Sequence, residues 1–410
     1  MSFPSQRAHY SITLVFNDII RPLDLKGIVM KRTVFLTACL VCFALWGAQY
    51  TIVDLFAGIG GLSYGFSQYP EFKVLAANEY DLEIAKAYEL NHPGVSMLTC
   101  GVEDVTSNMI QKATGGVKVD LVIGGPPCQS YSTAGKRQMD GRANLFREYK
   151  RMLEILKPRA FIFENVQGLL SMDDGKLIGQ IEDEFKSLGY SVKHKLLDAA
   201  NYGVPQHRNR VILVGFRGEN RFLYPAETHG AKEGLLPWVT LKDALGDLPV
   251  IKSGGCAKRY MTPPQNDYQR EMRKRVGDEL TEYESPQNGE NIVRIMEMLK
   301  EGQDKFDLPE DVRPKGGFAN TYGKLWWDRP AGTITRNFGT PSSARCIHPR
   351  DSRALTIREG ARLQSFPDDY KLFGSNGKKR LEIGNAVPPL LAKALARQMI
   401  KALSADTEKE

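Results

Sequence analysis

Gly124-Gly125-Pro126-Pro127-Cys128-Gln129-Ser130 follows the apolar run Asp120 to Ile123, so Cys128 is expected at the carboxyl edge of a strand. In open parallel sheets that edge is where ligands bind. A lone cysteine is more often a small buried hydrophobe than a nucleophile. Two prolines change that reading here, because they fix the backbone and hold the thiol in one place. An acid ends a second apolar run in Phe163-Glu164-Asn165-Val166, and Gln206-His207-Arg208-Asn209-Arg210 leads into a third, Val211 to Phe216. Taken singly, Glu164 reads as a satisfied surface acid and Arg210 as a salt-bridge partner. Taken together, one thiol, one carboxyl and two guanidiniums along one sheet edge suit attack on a polar planar ring.

A second group is built for binding. Asp54-Leu55-Phe56-Ala57-Gly58-Ile59-Gly60-Gly61 reads as a strand turning sharply into a helix, where glycines admit positive φ and a ligand can approach the backbone. Glu79 stands 21 residues beyond Gly58, where an acid can bind ribose hydroxyls, and Tyr80 beside it can stack on adenine. Nucleotide or nucleoside binding follows. The turn alone would equally suit a dinucleotide dehydrogenase, which would leave Cys128, Glu164 and Arg210 without a task.

The elements that must position these residues are legible as alternation. Thr51 to Leu55, Lys73 to Asn78, Asp120 to Ile123, Ala160 to Phe163 and Val211 to Phe216 read as strands; Leu62 to Tyr69, Leu82 to Leu90, Tyr149 to Leu156 and Ile178 to Leu188 read as helices. That order predicts an α/β fold, a Rossmann-like, doubly wound, mainly parallel sheet. Residues 219–345 are rich in Gly, Pro, Asn and charge with little period, and helical patterns return at Ile357 to Gln364 and Pro389 to Leu403. The expected division is 51–218 with 351–410 as one catalytic domain, and 219–350 as a smaller irregular domain. Within the latter, Met261 to Gly277 carries Arg270, Arg273, Lys274 and Arg275 with Tyr268. It reads either as a solvated helix face or as a surface toward nucleic acid.

With 410 residues, 42% hydrophobic and 25% charged, the composition is that of a globular protein. The net charge of +7 and pI of 8.9 are compatible with a nucleic-acid partner and do not prove one. Six cysteines are too sparse for a disulfide scaffold, so a reducing compartment is expected. Cys39 and Cys42 have Cys-x-x-Cys spacing, but they lie in an apolar run with no second pair to complete a zinc site. No metal is expected. Lys31-Arg32, an apolar stretch from Val34 to Trp46 and a small-residue ending have the form of an export signal. A buried helix and an extension outside the working enzyme compete with that reading. Export would part the protein from a nucleic-acid partner, so residues 1–50 are read as an extension of uncertain role and the protein as cytoplasmic.

Six ordered pieces resemble the motif set of DNA cytosine-5 methyltransferases: Asp54 to Gly61, Asn78 to Asp81, Pro126 to Gln129, Glu164 to Val166, Gln206 to Arg210 and Gly384-Asn385-Ala386-Val387. Leu355 to Glu359 with Leu363 to Pro367 is similar to the motif before the last. The resemblance covers Thr51 to about Ala396. It implies methyl transfer from S-adenosyl-L-methionine to C5 of a cytosine flipped out of a specific duplex DNA sequence. Cys128 is then the C6 nucleophile, Glu164 the acid on N3 and the exocyclic amine, Arg210 the contact to O2 and Arg208 a neighbouring support.

On the cofactor side the resemblance implies contacts from Phe56, Ala57, Gly58 and Gly60 to the amino-acid part. It further implies Glu79 on the ribose, Tyr80 on the ring, Asp104 on the adenine amine, Pro127 alongside, and Asn385 closing the pocket from the far end of the chain. Tryptophan is common where Tyr80 stands, and the glycine usual before Asp104 is displaced to Gly101. The loop Ser130 to Asn144, with Arg142, resembles the segment that closes over the flipped base, and Thr333-Ile334-Thr335 a backbone-contacting motif, with Thr333 on DNA. Residues 219–350 then become the target-recognition domain. Size and the single recognition domain resemble bacterial modification methylases, monomers paired functionally with a restriction endonuclease; an orphan or phage enzyme would look the same. Rival readings are a cytosine-5 methyltransferase acting on tRNA and a silent DNA-binding protein that kept the fold.

Overall fold

The computed structural model describes residues 50–127, 145–316 and 321–407. Cys128, Arg142, the remainder of the loop to Asn144, and the first 49 residues with Cys39 and Cys42 lie outside them. In chain order the elements are β1 (Tyr50–Leu55), α1 (Gly61–Phe66), β2 (Phe72–Asn78), α2 (Leu82–Asn91), β3 (Ser96–Leu98), α3 (Ser107–Ala113), β4 (Leu121–Gly124), α4 (Leu145–Leu156), β5 (Ala160–Val166), α5 (Lys176–Lys186), β6 (Tyr190–Asp198) and β7 (Asn209–Arg217). The strands form a seven-stranded sheet in the order β3-β2-β1-β4-β5-β7-β6. β1 to β5 pair in parallel, and β7 runs antiparallel to both β5 and β6.

The central strands are almost wholly apolar because both faces are covered, the buried Asp54 of β1 being an exception. Ile52, Ile123, Ile162 and Ile212 pack on one side; Val53, Val122, Phe161, Phe163 and Leu213 pack on the other, under α4 and α5. The first face is closed by the chain's far end. After the short helices α6 (Leu241–Leu245), α7 (Asp267–Met272) and α8 (Glu290–Met298) come α9 (Ile357–Leu363), α10 (Asn376–Asn385) and α11 (Pro389–Thr407). Leu391, Leu395, Met399 and Leu403 of α11 join the first cluster. Gly61 and Gly65, four apart on α1, make the close approach feasible. A Cβ on Gly61 would meet the Val387 carbonyl, and one on Gly65 the Ala392 side chain.

Sequence and structure differ in several elements. β6 was not read as a strand because Lys193, His194 and Lys195 interrupt any apolar pattern; it is an edge strand, where lysines discourage further pairing. β3, of three residues, carries too short a signal. Helix α1 stops at Phe66 rather than Tyr69, and β5 runs on through Glu164 to Val166.

Tyr50–Glu410 is one compact unit. A third cluster joins Ile59 and Ala87 near the sheet to Leu241, Leu245, Leu325, Ile334, Leu355, Ile357, Phe366 and Ile383. Buried ion pairs reinforce it. Arg362, fully buried, binds Asp247 at 2.5 Å and Asp368 at 2.6 Å, and Arg353, also fully buried, binds Glu359 at 2.7 Å and Asp351 at 2.9 Å. The basic run in Met261 to Gly277 serves the same fastening. Arg273 is buried against Asp247 (3.0 Å) and stacks on Tyr260, and Arg275 holds Asp369 (2.6 Å) and the Tyr64 hydroxyl. Arg270 pairs with Asp267. Arg275 therefore holds the irregular segment to the core, while Arg273 braces that segment internally, which neither sequence reading of the run anticipates. Among the described residues, no helix is long and apolar enough to cross a membrane.

Candidate active site

Register explains how separate motifs meet. Leu55 lies beside Gly124, and Gly124 beside Phe163, so the next residues of each strand, Phe56, Gly125 and Glu164, stand along one edge. The strand order reverses between β1 and β4, the usual site of a ligand crevice. Arg208 and Arg210 reach the same edge because β7 is antiparallel: its beginning lies where the others end, with Arg210 opposite Val166.

Glu164 is 8% exposed and its Oε1 pairs with Arg210 Nε at 2.6 Å. Burial pushes its pKa up, against Arg210 and Arg208, which pull it down. Its other oxygen packs against Gly125, where a Cβ would sit 2.6 Å from Oε2. The bare glycine is therefore room for the acid. Asn165, next along β5, donates from Nδ2 to the Pro126 carbonyl at 3.0 Å, tying the proline turn to the acid's strand. The turn is thus held just before Cys128, a residue outside the described ones; Pro127 is exposed.

Arg208 plays a different part from Arg210. Its guanidinium, 1% exposed, donates to the carbonyls of Ile334 (3.0 Å), Gly384 (2.7 Å) and Ala386 (3.1 Å). Gln206 grips the same Ile334 by accepting its backbone N–H on Oε1 at 2.8 Å. These two residues fasten the irregular segment and the end of α10 to the start of β7. Asp198, at the end of β6, orients the motif by accepting from the Arg208 backbone N–H at 2.9 Å and pairing with His207 at 2.7 Å. Thr333 is exposed and its hydroxyl donates to the His207 carbonyl at 2.8 Å.

At the other side of the crevice, Phe56, Gly58 and Gly60 all have positive φ (54°, 56° and 88°), a tight turn that Gly58 and Gly60 adopt without strain. The Ala57 N–H donates to the Asn78 carbonyl at 2.9 Å, linking the turn to β2. Glu79, 7% exposed, accepts from the Gly58 N–H on one oxygen and the Asp81 N–H on the other, both at 3.0 Å. Burial raises its pKa, and those two N–H groups oppose the rise. Each oxygen keeps a lone pair for a ligand hydroxyl. A Cβ on Gly58 would meet nothing within 4 Å, so the turn opens onto free space, and the Tyr80 ring is 73% exposed. These features fit a nucleoside-bearing cofactor. Asp104 is exposed in the short helical turn after β3, and Asn78 steadies that loop by donating to the carbonyls of Leu98 and Cys100. Asn385 is exposed at the end of α10.

The structure therefore brings together Glu164, Arg210 and the Gly125–Pro127 turn, and separately Phe56 to Gly60 with Glu79. Asn165, Gln206 and Asp198 were given no role from sequence. Their signal was weak, a polar residue at the rim of an apolar strand.

The family model for the C-5 cytosine-specific DNA methylases matches residues 50–401, almost the whole described chain. The chain belongs to the C-5 cytosine-specific DNA methylases. Similar curated proteins include Type II methyltransferase M1.HphI of Haemophilus parahaemolyticus, 31% identical over 91% of this chain and 95% of that protein. Type II methyltransferase M.DdeI of Desulfomicrobium norvegicum is 36% identical over 85% of this chain and 88% of its own length. Among solved structures, an E. coli prophage protein described as a DNA modification methyltransferase shares the fold, with TM-score 0.70 and 23% identity over 87% of this chain and 99% of that one. The methylase family accounts for a mostly parallel seven-stranded sheet and for an enzyme that methylates DNA.

Proposed function

We propose that this methylase transfers a methyl group from S-adenosyl-L-methionine to C5 of a cytosine flipped out of a specific duplex DNA sequence, through a covalent Cys128–C6 adduct. The observation that carries the reading is the buried Glu164–Arg210 pair set against Gly125, beside the turn that delivers Cys128. Cytosine C5 is a poor nucleophile and must be activated before it can accept a methyl. As the Cys128 thiolate forms the S–C6 bond, the C5=C6 electron pair shifts through C4 and charge gathers on N3. A Glu164 carboxyl that keeps its proton can give it to N3 while accepting from the exocyclic amine, which leaves C5 enamine-like. Burial of Glu164 favours that protonated form. Arg210 orients the carboxyl through Nε and offers further N–H groups to O2. Arg208 is a positioning residue here, acting through the backbone it holds.

S-adenosyl-L-methionine, when bound, supplies the electrophilic methyl. Phe56, Ala57, Gly58 and Gly60 would receive its amino-acid part, Glu79 its ribose, and Tyr80 and Asp104 its adenine, with Pro127 and Asn385 bordering the pocket. A base then removes the C5 proton, the S–C6 bond breaks as C5=C6 reforms, Cys128 leaves as thiolate and N3 returns its proton to Glu164. Arg142 and Thr333 would contact DNA, and residues 219–350 would read the sequence in the major groove. The Type II names of the relatives support the modification half of a restriction-modification system. Within this reading the enzyme works in the cytoplasm as a monomer.

Methyl incorporation from labelled S-adenosylmethionine tests the substrate class. Duplex DNA from a host lacking the enzyme should be labelled at cytosine C5 and tRNA should not; label confined to tRNA would overturn the reading.

A further inference from the structure

Glu382 lies in the last turn of α10, is 3% exposed, and neither carboxyl oxygen has a hydrogen-bond partner among the described residues. The lysines beside it on α10 are committed elsewhere. Lys378 holds Asp81 at 2.5 Å and Glu83 at 3.5 Å, and Lys379 holds Glu282 at 2.7 Å. A helix carboxyl end is also the wrong place for an anion. Burial without a partner is costly for a carboxylate, so the group must stay neutral or meet a cation.

Its surroundings point to which cation. α10 packs on α2, whose N-cap is Asp81, next after Glu79 and Tyr80. Glu382 is also near enough to Tyr370 to influence its ionisation, and the Tyr370 hydroxyl donates to the Ile59 carbonyl within the glycine turn. Asn385, three residues further on, shares its helix face. Glu382 therefore sits on the helix that packs against α2, whose start directly follows Glu79 and Tyr80.

We propose that the Glu382 carboxylate is the acceptor for the ammonium group at the amino-acid end of the cofactor. The inference rests on the S-adenosylmethionine reading above and assigns one more contact to it. Burial holds the ligand-free carboxyl up at about 8, with Lys378 and Lys379 opposing and Asp81 and Glu83 adding to the rise. At pH 7 the free protein therefore carries a proton there, and an arriving ammonium displaces it. Other groups around this corner also titrate: Asp54 behind the turn is raised to about 7 by its burial, and His92 is lowered to about 4 by its own. Variant and ligand controls separate them from Glu382.

The test is calorimetry of the full chain at pH 7 in two buffers of different ionisation enthalpy, which counts protons released on binding. S-adenosylhomocysteine carries the ammonium; 5′-methylthioadenosine is the same thionucleoside without it. In the wild type the first ligand should release about one proton more than the second. Glu382→Gln should abolish that excess, weaken S-adenosylhomocysteine about ten- to hundredfold and leave 5′-methylthioadenosine binding intact. Equal release with the two ligands overturns the assignment from the wild type alone, and so does a Gln variant that keeps both affinity and release. If neither ligand binds the wild type, the cofactor reading itself fails, and the assignment with it.

Discussion

Glu164→Gln is expected to lower the single-turnover rate of methyl transfer to duplex DNA by about 10²–10⁴-fold. The amide fits the space that Gly125 leaves, so packing against Oε2 is kept. What is lost is a group that gives a proton to N3 while accepting from the amine, leaving a carboxylate that Arg210, at 2.6 Å, can stabilise as it forms. Burial explains why the loss should be large: in a water-poor pocket no solvent proton replaces the missing one, and charge on the ring goes unneutralised. Binding of S-adenosylhomocysteine should be unaffected, because Glu79 and the glycine turn lie across β1 and β4. Rapid-quench assays of a hemimethylated target would measure the effect, and a rate equal to that of the wild type would remove Glu164 from the chemistry.

The second large effect concerns stability. Arg362→Ala should cost about 3–5 kcal/mol, the usual price of breaking a buried ion pair from one side. It would leave Asp247 and Asp368 with buried charge and reduced compensation, and free the Ala244 carbonyl that Arg362 also satisfies. Those residues tie α6 and the turn after α9 together, so target recognition should fail along with the fold's edge. The network also sets an acid limit. Glu359 is lowered from 4.5 to about 2; burial opposes ionisation, but Arg353 outweighs it. Asp368 is likewise lowered by Arg362 against its burial. A carboxyl lowered on folding adds stability above its unfolded pKa and loses it as pH falls through the folded one. The contribution from Glu359 should therefore fade between pH 4.5 and about 2. Urea denaturation at pH 7 and at pH 3 measures both effects; a loss under about 1 kcal/mol for Arg362→Ala would mean that the pairs contribute little.

Much of the site was readable because each piece combines an apolar strand with a polar residue at its rim. The glycine turn, Glu79 and Glu164 all have that form. Direction was harder to see. Arg208 and Arg210 stand at the beginning of their strand, so in a parallel sheet they would lie at the opposite edge; only the antiparallel course of β7 brings Arg210 to Glu164. The lysines of β6 hid the partner strand that makes this course possible. Arg353, Arg358 and Arg362 are each 1% exposed or less, against the usual preference of arginine for the surface, and no local pattern announces such burial. Glu382 was equally silent, since a missing partner is visible only once the neighbours are in place. Cys128 and the loop after it stand on sequence alone, and the proposed chemistry depends on them.

The most direct test is therefore covalent trapping at Cys128. A duplex bearing 5-fluorocytosine at the methylated position, incubated with S-adenosylmethionine, should yield a denaturant-stable protein–DNA adduct whose crosslinked peptide contains Cys128. Fluorine at C5 leaves no proton for the final elimination, so the thiolate cannot depart. Cys128→Ala should give no adduct while still binding the duplex. An adduct that persists in the alanine variant, or methylation of ordinary DNA by that variant at the wild-type rate, would contradict the account.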